Sequence, residues 1–88
     1  MKTTFLKHFY KDLDKLTLES VKNEVADTIE NVENALNTGQ INNLKKLKSY
    51  KNAYRIRVGD YRIGLFIENG VVEFARIVHR KDIYRVFP

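Results

Sequence analysis

Three features of the sequence predict an α+β fold. Apolar residues recur twice at helical spacing within the first 36 positions, two glycine-containing hairpin signals punctuate the second half, and the residues around those signals alternate polar and apolar. Lys2 to Leu6 reads as a short strand, with Thr3, Thr4 and Phe5 favouring extension. Phe9, Leu13 and Leu16 predict a first short helix. Thr17 is placed to N-cap a second helix, whose apolar stripe is Val21, Val25, Ile29, Val32 and Leu36. Gly39 follows where a helix C-terminus favours glycine. Residues 42–52 then read as a basic connector, with Leu44, Leu47 and Tyr50 tucked beneath it.

The second half reads as a three-stranded meander over residues 53–58, 61–68 and 71–78, which with the first segment makes four strands. Gly59-Asp60 fits a type II′ hairpin and Asn69-Gly70 a type I′ hairpin. Two-residue loops fix the register: Val58 opposes Tyr61, Arg57 opposes Arg62, Ile56 opposes Ile63, and Arg55 opposes Gly64. Like charges face to face cost a few tenths of a kcal/mol or more. Such a conflict, without visible structural benefit, is expected at a functional site. The second hairpin pairs Ile67 with Val72 and Leu65 with Phe74, but it carries Arg76 to the core side. Either a bulge shifts the register there or Arg76 lies beyond the core edge.

The 88 residues suit one small domain, 1–88, with a single core. Without Cys, disulfides and thiolate metal sites are excluded; His8 and His79 stand apart, so no metal or other cofactor is expected. No leader-like or membrane-length apolar run occurs, and a soluble cytoplasmic protein is expected.

Charge is unevenly placed. Residues 1–44 carry five Lys against seven acids, a net −2, whereas residues 45–88 carry eleven basic residues against four acids, a net +7. From residue 51 onward six of the basic residues are Arg, whose planar fork matches phosphate where lysine is a mobile point charge. Cations gathered on a rigid surface repel one another, so an anionic partner is implied, with phosphate first among candidates. Composition alone leaves a solvated sheet face as an equal reading. His8 reads as solvated and Tyr61 as packing; Lys45, Lys46, Lys48 and Lys51 read as a solvated connector that also attracts polyanions nonspecifically.

The stretch YRIRVGDYRIG, followed by an apolar strand and VHRKDIYR, resembles the RelE/ParE superfamily of type II toxin–antitoxin toxins, most of all the RelE-type messenger-RNA endoribonucleases. FLKHFYKDLDKL is similar to that family's first strand and opening helix. The resemblance implies a twisted, mostly antiparallel sheet with two N-terminal helices packed on one face. It also implies a catalytic set of Arg57, Arg62, Arg80 and Tyr84. Arg55, Lys48, Lys51, His79 and Lys81 are expected to hold RNA phosphates. The chain departs from the pattern in carrying arginine where some members have lysine on the first hairpin strand, and in the short segment between Arg80 and Tyr84.

RNA is cut without metal when a ribose 2′-hydroxyl attacks its neighbouring phosphate. Arginines suit the charge of the transition state but stay protonated and cannot be the base. The base then comes from Tyr84 or His79. A tyrosine beside several arginines is a better base than a free one. Arg80 suits the leaving group, with His79 or Lys81 as proton donor. The implied partners are messenger RNA in the ribosomal A site and a cognate antitoxin, with a monomer when free and a hetero-oligomer when neutralised. Two other readings remain: a ParE-like, non-enzymatic inhibitor of DNA gyrase, and an RNA-binding module without catalysis.

Overall fold

A computed structural model describes all 88 residues. The strands are β1 (Lys2–Phe5), β2 (Leu44–Lys46), β3 (Ala53–Val58), β4 (Tyr61–Glu68) and β5 (Val71–His79); the helices are α1 (Lys7–Lys15), α2 (Glu19–Asn34) and α3 (Ile83–Val86). They form one five-stranded sheet in the order β1-β5-β4-β3-β2, antiparallel except where β1 runs parallel to β5. The fold is α+β, but the expected four strands and two helices are corrected to five and three. Both additions are short. Three residues of β2 and four of α3 span too little chain for a period of two or of 3.6 to show.

Helices α1 and α2 cover one face of the sheet. Phe9 and Phe74 are fully buried there, and Phe5 stacks on Phe74 at 4.9 Å between ring centroids. From α2, Val25 and Val32 enter the core with Ile56, Ile63, Leu65 and Ile77. The stripe ends earlier than expected. Leu36 lies beyond the helix and is 83 % exposed, because α2 stops at Asn34 with Ala35 extended. Gly39 does not end α2; it sits in a 3-10 turn over Thr38–Gln40. The termination is made by side-chain amides: the Gln40 side chain accepts from Leu36 N–H, and Asn31 accepts from Asn42 N–H and donates to Gln40 C=O. The Met1 ammonium donates to the carbonyls of Val32, Glu33 and Ala35, a cation at the negative end of a helix with no basic residue in its last turn. At the other end Thr17 does not cap. Leu18 takes the N-cap position without a side-chain bond, and Glu19 puts negative charge in the first turn.

Both hairpins have the expected geometry. Gly59 has φ 57 with Asp60 at negative φ, and Asn69 and Gly70 both have positive φ. The first hairpin has the register read from sequence, including Arg57 opposite Arg62 and Arg55 opposite Gly64. In the second, Leu65 pairs with Phe74 but Gly64 pairs with Arg76, so Ala75 is an unpaired bulge residue. The bulge inverts the facing of everything after it. Ile77 turns into the helix-side core and Arg76 turns out of it, the first of the two alternatives that the sequence leaves open.

Arg76 is held by Asp12 of α1. Its Nε donates to Asp12 Oδ2 at 2.7 Å and Nη2 to Oδ1 at 3.2 Å, while Oδ2 also accepts from Ile77 N–H at 3.0 Å. β1 covers β5 only as far as Phe74, so this carboxylate satisfies the β5 edge where pairing has run out. Asp12 is 5 % exposed and is the one buried charged residue. The hydrogen bond to Asp12, opposed by burial, raises the Arg76 pKa above arginine's ordinary value. Asp12→Ala should therefore cost about 2–4 kcal/mol of unfolding free energy, since it strands a guanidinium and a backbone N–H together. Urea unfolding measures it, and Asp12→Ala/Arg76→Met should recover part of the loss.

Candidate functional site

Residues of β3 and β4 alternate between the two faces of the sheet, and the face away from α1 and α2 receives Ala53, Arg55 and Arg57 from β3 and Arg62, Gly64 and Phe66 from β4. Lys45 of β2 opposes Arg55, and Arg57 opposes Arg62, so two like-charged pairs stand in neighbouring rows. None of these four has a carboxylate partner. Arg80 leaves the end of β5, fixed by its N–H to Asp60 C=O at 2.8 Å, with Nε 3.9 Å from the Asp60 carboxylate. Both side chains are mostly exposed, so that long ion pair holds the guanidinium only weakly.

Arg62 is the centre of the group. Its Nη1 donates to the carbonyls of Gly59 at 2.8 Å and Tyr61 at 2.9 Å, which fixes the guanidinium against the hairpin turn. Burial, and then the positive charges of Arg55, Arg57 and Arg80, depress its pKa below arginine's ordinary value, while Tyr84 acts in the opposite sense. Elements far apart in sequence thus meet electrostatically at one side chain. They do so on an open strip rather than inside one closed pocket.

The C-terminal segment covers the other part of this face. Leu47, Ala53, Ala75, Ile83 and Phe87 form a second small core, joined by Phe66 and Val78. The Phe87 ring lies directly over Gly64, where a Cβ would come within 2.6 Å of it. Glycine at this point is a requirement for close approach, and the space beside Arg55 is filled by that ring. Seated in this way, α3 leaves Tyr84 65 % exposed. Tyr84 and Arg55 line a groove of about 370 Å³ together with Lys45, Lys46, Lys48 and Tyr50.

The family described as "ParE toxin of type II toxin-antitoxin system, parDE" matches residues 4–84. Toxin RelE3 of Methanocaldococcus jannaschii is 40 % identical over 89 residues, covering all of both chains. The chain belongs to the RelE/ParE superfamily of type II toxins. Its structure superposes on that of a RelB-RelE antitoxin-toxin complex from Methanococcus jannaschii with a TM-score of 0.79 at 39 % identity, over 97 % of this chain and 99 % of that one. An archaeal RelE-RelB complex from Pyrococcus horikoshii OT3 shares the fold at 19 % identity, with a TM-score of 0.73 over 93 % and 97 % of the two chains.

In this toxin the residues singled out in the sequence separate into two sets. Arg55, Arg57, Arg62, Arg80 and Tyr84 gather around the strip, and Lys48 lines its groove. His79 does not join them. It opposes Tyr61, its ring meets that tyrosine edge-on at 5.6 Å, and it shares the helix-side face. Its Nδ1 accepts from Lys81 N–H. Lys51 is exposed but lies outside the groove, and Lys81 is exposed at the turn before α3. Tyr50 is not tucked away but 48 % exposed. In the sequence Lys45 reads as part of a solvated connector rather than as a strand residue opposite Arg55, and the Gly64–Phe87 contact is not singled out there. The pairing of Lys45 needed β2, but the position of Gly64 opposite Arg55 was a usable signal. Gly64→Ala should unseat Phe87 and lower stability by about 1–3 kcal/mol. Gly64→Ala/Phe87→Ala should lose less than the two single changes combined, as measured by thermal unfolding.

Proposed function

We propose that this toxin is a metal-independent endoribonuclease that cuts messenger RNA in the ribosomal A site. The observation that carries the proposal is the set of Arg55, Arg57 and Arg62, none with a carboxylate partner, with the weakly paired Arg80 and the exposed Tyr84 beside them. Fixed donors aimed at developing charge are the strongest single contribution an enzyme makes to this kind of step. Arg62 is immobilised by two carbonyls and is therefore preorganised for the scissile phosphate. Arg55 and Arg57 add charge along the strand.

The ribose 2′-oxygen attacks phosphorus and its proton passes to Tyr84, acting as the general base. The bond from phosphorus to the 5′-oxygen breaks, leaving a 2′,3′-cyclic phosphate and a 5′-hydroxyl. Arg80 neutralises the departing oxygen, which takes its proton from Lys81 or water. His79 lies on the helix-side face, so it is not used. A RelB-like antitoxin is the natural partner, since relatives of this fold occur as RelB-RelE complexes. No helix is long and apolar enough to cross a membrane.

Tyr84→Phe should slow cleavage by about 10²- to 10⁴-fold while RNA affinity is kept. Primer extension on messenger RNA after induction reads the cuts, and cutting at the wild-type rate would remove Tyr84 from its role. Arg62→Gln should lose a comparable factor. A second reading, a non-enzymatic inhibitor of DNA gyrase, is favoured by the ParE description of the matching family. Inhibition of supercoiling by purified gyrase without codon-positioned RNA cuts would select it.

A further inference from the structure

Two exposed tyrosines line the groove, and only one of them has work in the reaction. Tyr50 stands on the loop between β2 and β3 with no hydrogen bond from its hydroxyl and no ring partner. Tyr10 is more exposed, at 54 %, yet its ring packs against Phe5. Tyr50 has no such account. The loop presenting it is nonetheless built: Leu47 is buried beside Phe87 and its N–H donates to Ala53 C=O at 2.9 Å. Ser49 takes the left-handed conformation at φ 71, a cost for a residue with a Cβ. The Lys46 ammonium donates to the Tyr50 carbonyl.

We infer that this loop forms a second nucleotide site, in which Tyr50 stacks an unpaired base next to the scissile linkage and Lys45 and Lys48 take its phosphate. The ligand chemistry follows from the lining. A groove with an open π-face and several cations fits a group that is flat at one end and anionic at the other. An acidic peptide would use the cations and leave the ring idle. Single-stranded RNA uses both. Lys45 is well placed for this, since it opposes Arg55 on the edge strand and so continues the cationic strip outward. The adjacency to the reaction centre rests on the proposed nuclease reading; the stacking itself does not.

The test is the affinity of the purified toxin for a short single-stranded RNA whose 2′-oxygens are methylated so that it is not cut, followed by fluorescence anisotropy. Tyr50→Ala should weaken binding about 5- to 100-fold and Tyr50→Phe should not. Lys48→Ala should weaken it less and reduce the slope of log affinity against log salt by about one. On a series of strands each missing one base, one strand should bind wild type as weakly as Tyr50→Ala, with no further loss on combining the two. The thermal midpoint of Tyr50→Ala should stay close to wild type, because the ring belongs to neither apolar core. Equal affinity of Tyr50→Ala and wild type, an equal loss on every abasic strand, no wild-type binding, or stronger competition from an acidic aromatic peptide overturns the site. Cleavage by the wild-type toxin is read separately by primer extension, so that an absence of RNA cuts would sink the nuclease assignment and leave the stacking result standing.

Discussion

The contact of Phe87 with the bare backbone at Gly64 decides what the second face of the sheet becomes. The α1 and α2 pair occupies one side only, and the opposite side would otherwise present Ala53, Phe66, Ala75 and Val78 to water. A single aromatic ring, whose burial is worth about 1.5–3 kcal/mol, closes that patch together with Ile83. Because α3 is only four residues long, it has little intrinsic stability and holds its place through those two side chains. Whatever Tyr84 does depends on them.

Arginine is used in two opposite ways within this small sheet. Arg76 is tied by a buried carboxylate and serves the edge of β5. Arg55, Arg57 and Arg62 are given no carboxylate, and two of them are set side by side. The like-charge pairs oppose folding, and the desolvation of Arg62 adds to that opposition. Binding a phosphate relieves both at once. The strip is thus poised for an anion by the same repulsion that makes it unfavourable in the free protein.

Most of the sheet could be read from the sequence because it is built from local rules. Gly59-Asp60 and Asn69-Gly70 fix turn type and hence register, and register fixes which side chains share a face. Arg76 signalled a conflict with an uninterrupted ladder but left a bulge and a place beyond the core edge as alternatives, and the register shows the bulge. The failures fall where non-local contacts overrule local preference. Thr17 and Gly39 look like helix boundaries, but Asn31 and Gln40 end α2 instead, through bonds no periodicity announces. His79 is adjacent in sequence to Arg80 yet on the other face, a matter of parity along β5 that the bulge had already inverted. The partner of Asp12 lies 64 residues away and could not be seen from either position alone.

The sheet has β2 as one of its two outermost strands, and an outermost strand carries unpaired amide and carbonyl groups that invite a second sheet to continue the ladder. Here that rim is three residues long and two of them are Lys45 and Lys46. Two molecules approaching rim to rim would bring four ammonium groups together. The two lysines that line the groove therefore also discourage self-association, and a variant that neutralises both trades away colloidal stability.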